Sequence, residues 1–209
     1  MISTELLLAI STGLAGLIAI FFTGARNVIT AKMDRWRDQI MREKHALGLK
    51  DIAEFQSILD QMKPLANVDR VLLFTGKNGG GLPKAGKPYT VNCFFGWSMD
   101  PLKHPDQTYK FGLQVDACYI DMLVEVLLKG RSVQTTATMD KAAALREMYE
   151  GESVVQALLF LLQLDMNSNE LTYMSVASYR RPFTPIEYQQ INLMVLRMRY
   201  LMDRGIERD

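Results

Sequence analysis

The hydrophobic positions divide the chain into one long uncharged segment and a series of shorter periodic ones. Residues 6–22, LLLAISTGLAGLIAIFF, contain no charged side chain. At ~1.5 Å per residue, a helix of this length, extended by its uncharged neighbours, crosses a hydrocarbon core of ~30 Å. Basic residues over 26–44 follow it, and such residues stay preferentially in the cytoplasm. The pattern predicts a single-pass inner-membrane protein with its N-terminus outside and the remainder cytoplasmic.

A cleaved secretory signal is the alternative interpretation of the same segment. Such a signal needs a basic region before its apolar part, and residues 1–5 supply none. An uncleaved anchor is therefore favoured. We expect three parts: a transmembrane anchor over residues 1–25, a basic juxtamembrane helix over residues 26–48, and a cytoplasmic domain over residues 49–209.

Small residues and a short heptad spacing near the membrane predict a parallel homodimer. Ala9, Gly13 and Gly16 form a small-residue face within the apolar segment. Four apolar residues then follow at spacings of 4, 3 and 4: Ile29, Met33, Trp36 and Ile40. Anchoring of Trp36 in the lipid headgroup region is the alternative explanation of its place among basic residues.

The patterns after residue 44 predict alternating helices and strands. Gly48 is expected to break the juxtamembrane helix, and a new helix is expected from Asp51 to Pro64. Further helices are predicted over 116–129, over 141–149 and from Thr184 onward, and strands over 70–75, 89–96, 132–138, 154–164 and 171–179. This order is typical of an α+β domain with a central antiparallel sheet flanked by helices.

Three of these helices have an apolar face that is expected to pack on the sheet. The faces are Ile52, Phe55, Ile58, Leu59 and Met62 in the first helix, Tyr119, Leu123, Val126 and Leu127 in the second, and Ile191, Met194, Val195, Met198, Leu201 and Met202 in the last. Thr184, Pro185 and Glu187 have the types and spacing of a helix start with a capping box.

Composition limits the possible functions. The net charge of +1 over 209 residues argues against a nucleic-acid partner. Cys93 and Cys118 fit a reducing compartment, where we expect them to be small buried apolar residues. His45 and His104 are the only histidines. Neither has a cysteine or an acid at ligand spacing, so no metal site is predicted.

The loop over residues 77–88 contains the spacing Gly-x-x-x-x-Gly-Lys, which is part of a phosphate-binding loop. That chemistry needs a Ser or Thr after Lys87, and this chain has Pro88. It also needs a following helix whose N-terminal amides bind the phosphates, and a strand pattern follows here. We therefore interpret the segment as an inter-strand loop.

The C-terminal pattern resembles the end of a GAF domain. Residues 154–202 give a strand, a tight turn, a strand, the "PFT" start of a helix and a long closing helix. Residues 69–80, DRVLLFTGKNGG, resemble the first strand and Asn-Gly-Gly loop of GAF-like domains in bacterial and phage proteins. The resemblance covers about residues 51–203. It implies a sensory or ligand-binding fold with a pocket between the sheet and its flanking helices.

The resemblance makes six residues candidates for ligand binding: Lys77, Asn78, Tyr89, Tyr109, Phe111 and Cys118. Lys77 and Asn78 belong to the Asn-Gly-Gly loop, and Tyr89 belongs to the next strand. Tyr109 and Phe111 lie in the irregular segment 98–115, which is expected to cover the pocket, and Cys118 follows that segment. The residues typical of cyclic-nucleotide binding are absent as a motif, and neither cysteine stands beside a histidine as a bilin-attaching cysteine does. No cofactor is therefore named.

These observations predict a membrane-anchored GAF-like module that binds a ligand or a partner protein and is not an enzyme. The chain extends only a few residues beyond the closing helix, so we expect no fused output domain. A scaffolding membrane protein without a ligand, of the kind a phage encodes, is the alternative. A lesser alternative is an enzyme like the GAF-fold reductases of free methionine sulfoxide, with Cys93 and Cys118 as its thiols.

Overall fold

The computed structural model describes residues 32–33, 36–77, 89–100, 113–140, 143–165 and 168–206. The chain divides into two compact units, Met1–Lys50 and Asp51–Asp209. No helix among the described residues has the length and apolar character needed to cross a membrane. The predicted anchor, residues 6–22, lies outside the described part of the chain.

In the first unit, residues 36–50 are helical, and Gly48 is one of them. The prediction that Gly48 breaks this helix is wrong, because the residues on both sides of it are helical. A glycine inside a helix costs only about 1 kcal/mol relative to alanine, and the helical residues on both sides outweigh that cost.

The second unit is built around a six-stranded sheet in the order β3-β2-β1-β6-β5-β4. The strands are β1 Arg70–Lys77, β2 Thr90–Ser98, β3 Leu113–Gln114, β4 Arg131–Thr135, β5 Gln156–Asp165 and β6 Glu170–Ser178. All five neighbouring pairs are antiparallel. The predicted central antiparallel sheet is confirmed. The short edge strand β3 was not predicted and lies within the segment 98–115 that was expected to be irregular.

Among the described residues, four helices flank the sheet: α1 over residues 51–62, α2 Ala117–Lys129, α3 Ala144–Gly151 and α4 Pro185–Ile206. Local signals fix the ends of α2. The Asp116 carboxylate accepts a hydrogen bond of 2.8 Å from the Tyr119 amide, and Gly130 ends the helix with a φ of 72°, which favours glycine. The predicted strand over 132–138 ends at Thr135 and continues as a 3₁₀ turn, Thr136–Thr138.

The predicted capping box begins α4. The Glu187 amide donates to the Thr184 hydroxyl at 3.3 Å, and the Thr184 amide donates to the Glu187 carboxylate at 2.8 Å. Arg181 donates two hydrogen bonds to the same carboxylate, at 2.9 and 2.7 Å. Arg181 and then the Thr184 backbone lower the pKa of Glu187 from 4.5 to about 2.

Alternating side chains of the sheet build two separate cores. Helices α2 and α3 cover one face, with Leu72, Phe74 and Tyr173 among the buried residues. Helices α1 and α4 cover the other face, and there Ile58 and Ile191 are fully buried. The unit therefore consists of three layers, two of helices and one sheet between them.

Two residues assigned to buried helix faces are exposed. Ile52 is 59% exposed and Leu127 is 39% exposed. The buried face of α2 instead includes Met122, because a face that repeats every three to four residues from Tyr119 leaves Leu127 at its margin. Burial of α1 begins one turn later than predicted, with the half-buried Phe55.

Candidate ligand-binding site

A layer of buried tyrosines lies between the sheet and the helices α2 and α3. Tyr173 of β6 is fully buried, and its hydroxyl is 2.7 Å from that of Tyr119 on α2. The Tyr173 ring stacks on Phe74 of β1, with ring centroids 5.1 Å apart. Tyr149 of α3 completes the layer and is hydrogen-bonded to Ser175. We call Tyr119, Tyr149 and Tyr173 the tyrosine layer.

Burial keeps these phenols neutral. It raises the pKa of Tyr149 to about 12, against a smaller lowering by the charge of Arg70. It also raises the pKa of Tyr119 and of Tyr173 well above the ordinary value of 10.0. At neutral pH the layer therefore offers hydroxyl groups that donate and accept hydrogen bonds, and it offers no phenolate for base or nucleophilic chemistry.

Charged side chains gather where β1 begins. The guanidinium of Arg70 is almost fully buried and forms an ion pair with Glu152, from the turn after α3. The neighbouring carboxylate of Asp69 is fully buried. It accepts hydrogen bonds of 2.8 Å from the Tyr179 amide and of 2.8 Å from the side chain of Arg180. Both buried charges therefore have an opposite charge close by.

An open groove of about 490 Å³ lies at this same end of the sheet. Cross-strand pairing places Ser98, Arg70, Ala177, Ala157 and Gln134 in one row there, and the paired residues Ser178, Gln156 and Thr135 form the next row outward. The 3₁₀ turn, α3 and the residues just before β5 and after β6 form the groove walls, with Thr136, Ala137, Arg146, Glu150, Ser153 and Tyr179 among the lining residues. We call this the Tyr179 groove.

The charges in the Tyr179 groove balance each other. Arg146 donates to the Glu150 carboxylate at 2.7 Å and to the Met139 carbonyl at 2.8 Å. The Thr136 hydroxyl donates to the Val154 carbonyl. Tyr179 connects the groove with the interior, because its hydroxyl lies 3.2 Å from that of Ser98. The groove therefore suits an uncharged or zwitterionic molecule better than a strongly charged one.

The described candidates from the sequence lie elsewhere. Lys77 is the exposed last residue of β1, and Tyr89 is half-buried just before β2. Both are at the opposite end of β1 from Arg70, roughly 23 Å away at ~3.3 Å per residue. The Tyr89 ring packs directly on the backbone of Gly76. A Cβ atom at residue 76 would be 2.6 Å from the Tyr89 phenol oxygen, which is too close for any side chain larger than that of glycine. Burial, and then the charge of Glu170, raise the pKa of Tyr89.

The remaining candidates are spread over the chain. Cys118 is exposed on the first turn of α2, and Trp36 is 67% exposed in the first unit. The others lie outside the described residues: Ala9, Gly13, Gly16, Asn78, Tyr109 and Phe111.

The two cysteines differ in environment, and neither forms a disulfide. Cys93 is half-buried in β2, and its thiol donates to the Phe95 carbonyl at 3.1 Å. The expectation of burial is wrong for Cys118, because this residue lies one position before Tyr119, off the face of α2 that packs on the sheet. Within the described residues, no group of three or more His, Cys, Asp or Glu side chains is arranged to hold a metal ion.

Sequence reasoning missed Arg70, the tyrosine layer and the Tyr179 groove. The only local signal was the appearance of polar residues within otherwise apolar strands, such as Tyr173 and Ser175 in β6. That signal does not separate a site from a hydrogen-bonded core.

The layered architecture is that of the GAF fold. No protein-family model matches the sequence, and no curated protein matches it either. Among solved structures, the GAF domain/HD domain protein of Geobacter sulfurreducens matches with a TM-score of 0.55 and 11% identity, covering 78% of this chain and 97% of that one. The phycoerythrobilin-bound GAF domain of a cyanobacterial phytochrome matches with a TM-score of 0.50 and 13% identity, covering 78% of this chain and 95% of that one. The predicted GAF-like domain is thus confirmed as a fold.

Proposed function

We propose that this chain is a membrane-anchored GAF-like sensory module that binds a small molecule in the Tyr179 groove. The groove carries the proposal. Its volume of about 490 Å³ lies within the range of roughly 300–1,000 Å³ that is usual for small-molecule sites. Tyr179 and Ser98 lie between it and the buried polar groups at the start of β1. Phycoerythrobilin in one of the similar structures supports small-molecule binding as the role of the fold.

The expected ligand follows from the groove walls. Arg146 and Glu150 neutralise each other, and hydroxyl groups of Thr136, Ser153 and Tyr179 are close by. An uncharged or zwitterionic molecule with several hydrogen-bonding groups fits this environment, because it leaves no unpaired charge when water is displaced.

Screening by thermal unfolding tests the proposal. The full chain, purified in a mild detergent, is heated with cyclic nucleotides, nucleotides, amino acids and bilins in turn. Native mass spectrometry of the same sample detects a molecule that co-purifies. We expect one compound class to raise the midpoint of unfolding. If no compound does so and no molecule co-purifies, ligand binding is contradicted.

An interaction module without a ligand is the second candidate. The observation that favours it is the filled interior, because Phe74, Tyr119 and Tyr173 occupy the space between the sheet and α2. Under this hypothesis the screen is negative, and a partner protein is recovered with the full chain from its own membranes.

The membrane anchor is supported by sequence alone, through the uncharged residues 6–22 and the basic residues 26–44. A reporter fused to the C-terminus and active only in the cytoplasm tests the proposed topology. We expect the reporter to be active in the membrane fraction. Activity of a periplasm-specific reporter at the same position would contradict it.

A further inference from the structure

The ion pair in the wall of the Tyr179 groove is only partly hydrogen-bonded. Arg146 donates from its Nε atom to one carboxylate oxygen of Glu150, at 2.7 Å, and from its Nη1 atom to the Met139 carbonyl, at 2.8 Å. Within the described part of the chain, its Nη2 atom and the second carboxylate oxygen of Glu150 have no hydrogen-bond partner. One cationic donor and one anionic acceptor therefore remain for water or for a bound molecule.

A second arginine–glutamate pair of the same unit shows the difference. At the start of α4, Arg181 donates to both carboxylate oxygens of Glu187, and the Thr184 amide donates to one of them as well. That pair is closed and caps a helix. The pair in the groove is open, although two hydrogen bonds already fix the orientation of the Arg146 guanidinium. A group that is fixed in advance costs less to order when a ligand binds.

The open groups define the charge pattern of a matching ligand. Arg146 and Glu150 are in direct contact, so the two opposite charges that they bind must also be adjacent. In an α-amino acid, the carboxylate and the ammonium group are attached to the same carbon atom. The carboxylate accepts charge-assisted hydrogen bonds from a guanidinium, and the ammonium donates them to a carboxylate. A ligand with only one of these charges leaves one member of the pair without an opposite charge to bind.

We propose that the ligand of the Tyr179 groove is a free α-amino acid with an apolar side chain. This proposal rests on the proposed function of the groove and names the ligand class. Arg146 binds the carboxylate of the ligand, and Glu150 binds its ammonium group. The side chain of the ligand lies against Ala137 and Val155, which line the same groove. The groove volume of about 490 Å³ accommodates a side chain of the size of leucine or phenylalanine.

Ser153 stands in the groove wall in a backbone conformation that favours glycine. It follows α3 with a φ of 62°, a region that costs serine more than glycine. Residues held in such conformations cluster at ligand sites. Its hydroxyl group has no hydrogen-bond partner among the residues that the structure describes, and Ser153 lines the groove. The Ser153 hydroxyl is therefore a third contact, which donates to the ligand carboxylate.

Titration with modified amino acids tests the ligand class. The full chain in a mild detergent is titrated calorimetrically with L-leucine, L-phenylalanine, N-acetyl-L-leucine, which lacks the ammonium charge, and L-leucinamide, which lacks the carboxylate. We expect L-leucine and L-phenylalanine to bind, and each derivative to bind about tenfold or more weakly than L-leucine. Absence of binding by both free amino acids, or derivatives that bind as well as L-leucine, overturns the proposal.

The same titrations separate this proposal from the proposed function. If a compound of another class binds and Ala137→Trp abolishes its binding, the groove is a ligand site and the amino-acid assignment is overturned. If neither amino acids nor any other compound class binds, both fail.

Glu150→Gln tests the contact with the ammonium group. In the parent chain, N-acetylation of L-leucine removes the charge that Glu150 binds, whereas in Glu150→Gln this charge has no partner. We therefore expect the ratio of the two Kd values to fall from about tenfold or more in the parent to about one in the variant. Lys129→Gln is the matched control, because it breaks an ion pair of the same i,i+4 spacing, 2.8 Å from Glu125 on α2. We expect the control to keep the parent ratio. A ratio that Glu150→Gln leaves unchanged overturns the assignment.

Ser153→Gly separates binding from stability. We expect it to raise the unfolding midpoint of the free chain, because glycine adopts the positive φ without strain. We also expect it to raise the Kd for L-leucine by about threefold to tenfold, because one hydrogen bond to the ligand is lost. A purely structural role of Ser153 would raise the midpoint and leave the Kd unchanged, and that result overturns its assignment as a ligand contact.

Discussion

The two faces of the sheet are built from different chemistry. In the hydrophobic cluster on the side of α1 and α4, the fully buried side chains are aliphatic, sulfur-containing or phenylalanine, among them Ile58, Leu158 and Met174. On the side of α2 and α3, three tyrosines are buried and Tyr119 is hydrogen-bonded to Tyr173. The hydrophobic cluster on one face therefore stabilises the unit by packing of apolar side chains, whereas the cluster on the other face also contains hydrogen-bonded hydroxyl groups.

The contrast has a physical consequence. An apolar layer depends on shape, so its substitutions act through cavities. A buried polar layer depends on complete hydrogen bonding, because a hydroxyl without a partner in a low-dielectric interior is costly. Substitutions on the two faces are therefore expected to differ in kind as well as in size.

The largest effect is expected on the α1/α4 face. Ile191 is fully buried, and Ile191→Ala is expected to lower the free energy of unfolding by about 2–5 kcal/mol. Chemical denaturation of the full chain measures this loss. Leu128→Ala, at an exposed position, is the control and should change it by less than about 0.5 kcal/mol. Equal losses in the two variants would show that the α1/α4 face is not a packed core.

The tyrosine layer is tested by a double-mutant cycle. Tyr119→Phe and Tyr173→Phe are each expected to cost about 1–3 kcal/mol, because each leaves the other hydroxyl buried without its partner. The double variant removes both hydroxyls and should cost less than the sum, with a coupling of about 1 kcal/mol. Strict additivity of the two losses would contradict the hydrogen bond between these residues.

The start of α4 predicts a pH-dependent contribution to stability. Arg181 and the Thr184 backbone lower the pKa of Glu187 from 4.5 to about 2 in the folded state. This contribution is therefore complete above pH 4.5 and is lost as the pH falls towards 2. Glu187→Gln should cost about 1 kcal/mol at pH 7 and much less near pH 2. If the free energies of unfolding of parent and variant differ by the same amount at every pH in this range, the ion pair of Glu187 with Arg181 does not stabilise the fold.

The smallest expected effect is a gain at the end of α3. Ser153 has a φ of 62°, and the Val154 and Ser153 amides donate to the Tyr149 and Glu150 carbonyls in a glycine-type helix end. Ser153→Gly should raise the free energy of unfolding by about 0.5–1 kcal/mol. Ser153→Ala keeps a Cβ atom at this positive φ, so the backbone strain remains and we expect no increase in the free energy of unfolding. A stabilisation by alanine equal to that by glycine would point to another cause.

Local signals predicted much of the fold. The capping pair Thr184 and Glu187, and the ends of the helix predicted over 116–129, depend on neighbouring residues and were confirmed. The two-residue strand β3 was missed because its pairing with β2 depends on tertiary structure, and so short a strand has no periodic pattern.

The position of the candidate site was much harder to predict. Its parts come from distant segments, since Arg70 begins β1 and its partner Glu152 follows α3. Only the pairing of the strands brings them to one end of the sheet. The candidates Lys77 and Tyr89 were chosen from loop composition and a family resemblance, which do not show where the strands place an open groove.

Binding to groove-blocked variants tests the central claim most directly. Calorimetric titration with the compound found by thermal screening is performed on the full chain with Ala137→Trp, which fills the Tyr179 groove, and with Ala53→Trp, at an exposed position on α1. We predict that Ala137→Trp weakens binding at least tenfold, about 1.4 kcal/mol, and that Ala53→Trp leaves it unchanged. Equal affinities of the two variants would contradict the assignment of the ligand to this groove.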